Sequence, residues 1–279
     1  MFVVRIISLG IFLISLSACG QKIELQPEEV VRRAIIRSST VESVAASVVA
    51  DMKTENTDTL SGSVIMQGII RSGGQSWSTD STLTIESATK RGHERVRGRL
   101  VMVSPGNGQT YLRLESVEGV LGELLRNSMP DSTSGWMVFG NDSASVPSAR
   151  STPDPERISS YADVIIVQED VGMEKDDDGQ MLYHYRVGLH SDALASLSHE
   201  SPSGEADGMK AVGEMWIESG NFSLRKVKWF LTGVPTSIGP MTMHIDVLFT
   251  QYDAALQIRT PVGSAATLPL ESIFAIFSL

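Results

Sequence analysis

Strand-like segments separated by short turns fill most of this chain beyond residue 60. They are rich in β-branched and apolar residues, and the breaks between them contain turn pairs such as Gly73-Gly74 and Asp178-Gly179. Turn pairs of this kind join neighbouring antiparallel strands into hairpins. The pattern therefore predicts strands over 63–71, 76–87, 95–103, 110–115, 136–139, 163–174, 180–189, 211–218, 224–231 and 241–249.

Three further segments show helix patterning. After Pro27 and two glutamates, which are typical of a helix start, apolar residues recur at spacings of three and four. This predicts an amphipathic helix over 27–53, which Ser38-Ser39-Thr40 either interrupts or recaps as a second helix. Shorter helices are predicted over 117–127 and 192–199. The fold class predicted from these elements is α+β, with helices covering one face of an antiparallel sheet and leaving a cavity suited to an apolar ligand.

A short apolar run at residues 6–16 leads to Cys19, the only cysteine in the sequence. Arg5 precedes the run, and Leu16-Ser17-Ala18-Cys19 resembles a bacterial lipobox, whose cysteine is diacylated and becomes the N-terminus after cleavage. The alternative is a transmembrane anchor, but spanning a bilayer takes roughly 20 apolar residues, and polar Gln21-Lys22 closes this run early. We therefore predict a lipoprotein signal peptide over 1–18, followed by a lipidated Cys19 and a tether over 19–26.

The net charge of −10 disfavours a nucleic-acid partner, because no basic stripe is present to neutralise phosphates. Negative charge also repels anionic lipid headgroups, so the acyl group on Cys19 is the expected membrane attachment. We expect an extracytoplasmic protein of the bacterial cell envelope. It would lie at the outer membrane if the source has two membranes, and on the outer face of the plasma membrane if it has one.

Signatures of enzymes and metal sites are missing from the sequence. It contains no Gly-x-Ser-x-Gly elbow, no Walker loop and no His-Glu-x-x-His, and its five histidines are scattered. The acidic run from Glu174 to Gly179 suggests a calcium loop, but Tyr185 stands where an EF-hand needs its bidentate glutamate. An acidic hairpin tip is the better interpretation. We therefore expect no catalytic residues, no metal and no cofactor.

Methionines and large aromatic residues in the predicted strands are the candidate ligand-binding groups. Thioether side chains are flexible and polarisable, so they suit a cavity that accepts variable acyl chains, although filling an irregular core is their usual role. The apolar segment 268–279 is too short to span a membrane and could pack into the sheet or plug the cavity. The candidate cavity-lining residues are Met66, Met102, Met137, Met215, Trp216, Trp229, Met241, Met243 and Phe249.

Three features resemble the LolA/LolB-like superfamily, which includes the LppX/LprG-type lipoproteins. The first is a lipobox followed by an amphipathic helix and a run of strands. The second is the Gly213–Glu218 segment with its Trp-Ile-Glu ending, followed by a strand from Leu224. The third is the closing strand through Tyr252-Asp253, which leads to Ile258 and Pro261.

The resemblance implies a strongly curved antiparallel sheet, a half β-barrel, covered by the N-terminal helix and short inserted helices around a hydrophobic cavity. It also implies a single domain over 27–279, in which a loop-rich insertion at about 128–157 has no counterpart in the family pattern. The expected function is binding of a lipid or acyl group by a membrane-anchored lipoprotein, with a role in lipid or lipoprotein transport. The alternative is a non-enzymatic structural or interaction module of the envelope with a filled core.

Overall fold

A single sheet dominates the computed structural model, which describes residues 25–54, 59–71, 76–89, 92–106, 109–119, 135–139, 163–190, 209–234, 239–263 and 266–267. One helix, α1 (Pro27–Thr40), precedes the strands. The strands are β1 (Ser43–Thr54), β2 (Thr59–Arg71), β3 (Ser76–Thr89), β4 (Gly92–Ser104), β5 (Thr110–Glu118), β6 (Met137–Phe139), β7 (Ile165–Lys175), β8 (Met181–Leu189), β9 (Lys210–Glu218), β10 (Leu224–Val234), β11 (Met241–Thr250) and β12 (Ala266–Thr267).

The twelve strands form one sheet in the order β12-β6-β5-β4-β3-β2-β1-β11-β10-β9-β8-β7. Strands β1 to β6 follow one another as antiparallel neighbours, and so do β7 to β11. The two runs meet where β1 pairs antiparallel with β11, whereas β12 pairs parallel with β6 at one edge. Among the described strands, β7 and β12 do not pair with each other, so the sheet is open.

Helix α1 is stabilised at its start by charge and along one side by packing. Glu28 and Glu29 lie in the first turn, where carboxylates interact favourably with the helix dipole. Arg32 donates to Glu29 across 2.6 Å, one helical turn away. On the opposite side, Val30 and Val31 pack on the sheet in a core shared with β8, β9 and β10. No helix among the described residues has the length and apolar character to cross a membrane.

The helix ends at Thr40, so the predicted helix over 27–53 is wrong beyond that residue. Residues 43–54 form β1 instead, paired on one side with β11 and on the other with β2. The hydroxyls of Ser38 and Thr40 donate back to the carbonyls of Ala34 and Arg37 in the final turn. Valines then follow at close spacing, and β-branched side chains favour a strand over a helix.

The predicted α+β fold class is also wrong, because the described part of the chain is nearly all sheet with one helix. The segment predicted as a helix over 117–127 begins inside β5, where Val117 and Glu118 continue the strand. Residues 120–127 and the predicted helix over 192–199 lie outside the described residues, as do Cys19, the signal segment 1–18 and most of the 128–157 insertion. The predicted strands are confirmed, and the acidic run forms the β7–β8 turn, in which Gly179 has a φ of 78°.

The connection between α1 and β1 is tied to the segment after β11 by Asp253. Its carboxylate accepts a hydrogen bond from the backbone N–H of Glu42 at 2.8 Å and pairs with Arg37. The bond from Glu42 and the nearby guanidinium lower the pKa of the Asp253 carboxyl below its ordinary value of 3.8. A group whose pKa is lower in the folded state contributes stability above its unfolded pKa and loses it as pH falls.

We expect Asp253→Asn to lower the free energy of unfolding at pH 7 and to have less effect as pH falls below 3.8. Asparagine keeps an acceptor for Glu42 and tolerates the positive φ of 52° at this position, so charge is the main change. Urea unfolding at several pH values measures the difference. Asp177→Asn, in the exposed β7–β8 turn, is the control for net charge. The same pH profile for both variants would refute a specific role of Asp253.

Candidate functional site

One face of the sheet packs against α1, and we call it the inner face. Because directly opposed residues in neighbouring strands point to the same side, the register traces this face across the whole sheet. Starting from Met215, which packs under α1, successive partners continue the face to the other end. This row contains Tyr185, Met215, Val227, Val247, Val48, Met66, Ser81, Leu100 and Leu114.

Charge is segregated between the two faces. Among the described side chains of β11 and β1–β6, none at an inner-face position is charged. The outer face carries the ion pairs instead, including Arg99 with Asp80 and Arg95 with Glu86. As far as its side chains are described, this face is therefore uncharged over seven neighbouring strands and available for burial against an apolar partner.

Eight of the nine candidate residues share the inner face. Met215 is buried beneath α1, and Trp229 and Phe249 pack against the same core. Met102 and Met137 belong to a second cluster with Leu100 and Leu112 on β4 to β6. The other three, Met66, Met241 and Met243, are partly buried on the strands between these clusters.

Trp216 is not brought together with the other eight. It lies beside Met215 on β9, so strand alternation directs it to the outer face. There its ring stacks with that of His184, with centroids 4.3 Å apart, and the ammonium of Lys226 lies 5.1 Å from the ring centroid. Its indole N–H donates to Glu174. These contacts hold Trp216 in a charged surface cluster.

The space under α1 is filled by side chains. Val30 and Ala34 of the helix and Val187 and Ile217 of the sheet are fully buried against one another. Burial also raises the pKa of the Tyr185 phenol in this core, so the ring stays neutral. The less tightly packed part of the inner face therefore lies away from the helix, on β11 and β1 to β4, where most inner-face side chains are only partly buried.

Polar side chains of β3 interrupt the middle of this apolar area. Ser81 lies between Met66 and Leu100 in the row, and Thr79 is the next inner-face residue on β3. The Thr79 hydroxyl oxygen is buried and has no hydrogen-bond partner among the described residues. Ligand sites typically have an apolar lining with a small number of precisely placed polar groups, which fix the orientation of the ligand. The sequence analysis did not single out these hydroxyls, although their period-two spacing places them on one face.

Gly213 is another residue that the sequence analysis missed. It faces Trp229 across the β9–β10 pair, and a Cβ at Gly213 would lie 2.7 Å from the indole ring and from the Lys228 carbonyl oxygen. Only glycine therefore lets the indole pack flat against β9. A glycine inside a strand often marks such a close approach, so the signal was present in the sequence.

The outer face carries a groove of its own. A cavity of about 650 Å³ opens there above the small residues Ala45 and Ser47 of β1. Leu248 and Ile69 flank it, and Leu248 is about half exposed. In the part of the chain that the structure describes, no group of three or more His, Cys, Asp or Glu side chains could hold a metal ion.

Comparisons with known proteins give weak structural matches. No protein-family model matches the chain, and no curated protein does. A DUF1329 family protein from Desulfovibrio piger matches at 13% identity and a TM-score of 0.24, over 84% of this chain and 96% of that one. The LolA superfamily protein NE2245 from Nitrosomonas europaea matches at 12% identity and a TM-score of 0.23, over 84% of this chain and 95% of that one. A β-barrel-like DUF1849 protein from Brucella abortus matches at 8% identity and a TM-score of 0.27, over 76% of this chain and 99% of that one. TM-scores below 0.5 do not establish a shared fold. The resemblance to the LolA/LolB-like superfamily, including its LppX/LprG type, therefore stays a prediction.

Proposed function

We propose that this protein binds the acyl chain of a lipid or lipidated molecule on the inner face of β11 and β1 to β4. The observation that carries the proposal is that eight candidate residues share the inner face, which on β11 and β1–β6 has no described charge. Charge on the opposite face, where Arg99 pairs with Asp80, leaves the inner face as the apolar side of the sheet. We propose binding without catalysis, in agreement with the scattered histidines of the sequence.

The energetics of acyl chains suit such a surface. Each buried methylene contributes about 0.8 kcal/mol, so a long chain lying across several strands would gain enough to remain bound. Methionines such as Met66 and Met243 adapt to chains of different shape because the thioether is flexible and polarisable. The hydroxyls of Thr79 and Ser81 would accept or donate a hydrogen bond at the carboxyl or ester end.

We further propose that Cys19 carries the lipid that attaches the protein to a bacterial envelope membrane, on the extracytoplasmic side. The lipobox-like sequence before Cys19 supports this attachment. Helix α1 begins at Pro27, so only a short tether would separate the sheet from the bilayer. An acyl-binding face held so close to a membrane is well placed to take up or release lipids.

Site-specific photolabelling tests the binding proposal. The full chain in nanodiscs is titrated with a diazirine-bearing palmitic acid, and adducts are mapped by mass spectrometry. We expect adducts on the inner face, and Met66→Gln should raise the half-saturating concentration about tenfold, because burying an unpaired amide costs about 1–2 kcal/mol.

Ile65→Gln is the matched control, because Ile65 is the neighbouring residue on β2, points to the outer face and is 50% exposed. This substitution should change the half-saturating concentration of palmitic acid by no more than about twofold. A change of about tenfold would correspond to about 1.4 kcal/mol of binding free energy. Equal effects of the two substitutions, or adducts confined to the outer face, would rule out acyl binding on the inner face.

A second candidate function, protein interaction, is favoured by the outer-face groove. Leu248, Ile65 and Val49 are exposed apolar residues on adjacent strands beside or near it. Exposed apolar patches of this kind mark interaction surfaces. A chain that takes no acyl label on its inner face, yet loses a partner when Leu248 is replaced by Asp, would fit this alternative.

A further inference from the structure

Three methionines lie together at one end of the inner face. Met241 and Met243 are separated by one residue on β11, so strand alternation directs both side chains to the same face. Met52 of β1 is the direct cross-strand partner of Met243. Directly opposed residues of an antiparallel pair have Cβ atoms about 4.5–5.5 Å apart, and residues two apart on one strand are separated by about 7 Å. We call Met52, Met241 and Met243 the thioether cluster.

The side chains of the cluster have room to change conformation. All three methionines are only partly buried. Gly62 of β2 is the other cross-strand partner of Met52, and a Cβ at this glycine would lie 3.3 Å from Cγ and 3.5 Å from Sδ of Met52. The Met52 sulfur therefore lies over a residue without a side chain. Because the methionine side chain is unbranched and has three rotatable bonds, this sulfur can turn from β2 towards Met243.

The surroundings of the cluster lack the ligands that hard cations need. Leu231 pairs with Met243 from β10, and Ile245 follows on the same face of β11. The described inner-face side chains of β11, β1 and β2 are uncharged. The Thr54 hydroxyl, at the end of β1, already accepts from the backbone N–H of Leu60. Calcium and magnesium require several oxygen ligands, and zinc requires imidazole, thiolate or carboxylate, so this part of the face does not suit them.

We propose that the thioether cluster binds Cu(I) through its three sulfur atoms. Thioether sulfur is a soft donor, and soft donors select Cu(I). The ligands are neutral, so the bound ion keeps its positive charge, and the partial exposure of the three side chains limits the cost of burying it. The ion enters and leaves as Cu(I), so no electron is exchanged.

This metal site does not rest on the proposed acyl binding. It also departs from the expectation that the protein holds no metal, which considered only histidine and carboxylate patterns in the sequence. Sulfur ligands on neighbouring strands are brought together by the register of β1 with β11, so the spacing of methionines along the chain did not reveal them.

Competition with a chromophoric chelator tests the site. The full chain with Cys19→Ser, which removes the only thiol, is titrated without oxygen against the Cu(I) complex of bicinchoninate. We expect each chain to withdraw one Cu(I) ion, X-ray absorption to show three sulfur neighbours, and Zn(II) not to compete. Met52→Leu and Met243→Leu should each raise the dissociation constant for Cu(I) about tenfold or more. Leucine nearly conserves the volume of methionine, so both variants should fold.

Met66→Leu is the matched control, because Met66 is also a partly buried methionine of the inner face but lies outside the cluster. It should leave the dissociation constant for Cu(I) within about twofold of the parent. All three leucine variants keep an apolar surface, so their half-saturation by the photoreactive palmitic acid should not change.

The outcomes separate the metal site from the proposed function. Failure to withdraw Cu(I), competition by Zn(II), unchanged affinity in Met52→Leu and Met243→Leu, or an equal loss in Met66→Leu would each overturn the metal site. A chain that binds Cu(I) as described but takes no acyl label would support the metal site while refuting the proposed acyl binding.

Discussion

Replacing Ile217 by Ala should lower the free energy of unfolding by about 3 kcal/mol, because loss of a buried Ile side chain removes apolar burial and leaves a cavity. Ile217 is fully buried in the core between α1 and the sheet. Strand pairing holds its partner Tyr183 in place, and Val31 of α1 is packed in the same core, so neither side chain can move freely into the cavity. Urea unfolding followed by far-UV circular dichroism measures the change.

Val212→Ala is the control for Ile217→Ala. Val212 lies on the same strand but faces outward and is 42% exposed. Its truncation should change stability by no more than about 0.5 kcal/mol. Similar losses at both positions would mean that β9 is not packed under α1 as described, and that the filled core between helix and sheet is incorrect.

Trp216→Ala should produce a second large loss of stability, about 3 kcal/mol, without weakening acyl binding. The indole is only 8% exposed although it lies on the outer face, because His184 and two lysines cover it. Removal of a buried tryptophan costs several kcal/mol. Since the side chain points away from the inner face, photolabelling by palmitic acid should keep its half-saturating concentration at temperatures where the variant is folded.

Trp216→Phe separates packing from hydrogen bonding in this cluster. Phenylalanine keeps an aromatic surface against His184 but cannot donate to Glu174, so we expect a loss of about 1 kcal/mol. Chemical unfolding monitored by circular dichroism suits both variants, since each removes a fluorophore. A tenfold loss of acyl labelling in Trp216→Ala would instead place this residue in the ligand site.

Local sequence patterns located most of the strands, but they assigned the first strand, β1, to a helix. Turn pairs and alternation located each predicted hairpin, because both signals depend on neighbouring residues. From Val41 to Val49, however, the valines fit helical spacing better than strand alternation. Pairing with other strands determines that this segment is a strand. Because β1 lies between β11 and β2, its backbone hydrogen bonds are made with residues of those strands. A helix could not provide those bonds to its neighbours.

The limit of local patterns also explains which parts of the candidate site were predicted and which were not. Thioethers and aromatic rings in strands indicated apolar binding surfaces, and eight of the nine chosen residues share a face. Met215 and Trp216 are adjacent on a strand, so only one could face inward. Trp216 has the parity of Glu214 and Glu218, a signal that favoured the outer face. The spacing of Thr79 and Ser81 and the glycine at position 213 were visible locally, but the residues they face depend on cross-strand register, which local patterns do not give.

The pairing of β1 with β11 has a consequence for the order of folding. Ala45 and its neighbour Thr250 are 205 residues apart, yet they lie at the centre of the sheet. The ribosome must synthesise about 200 further residues before the partner of β1 is available, and contacts so distant in sequence slow folding. The two half-sheets therefore cannot join until β11 has been made. Until then the β11-facing edge of β1 stays unpaired, and an unpaired strand edge can pair with another chain.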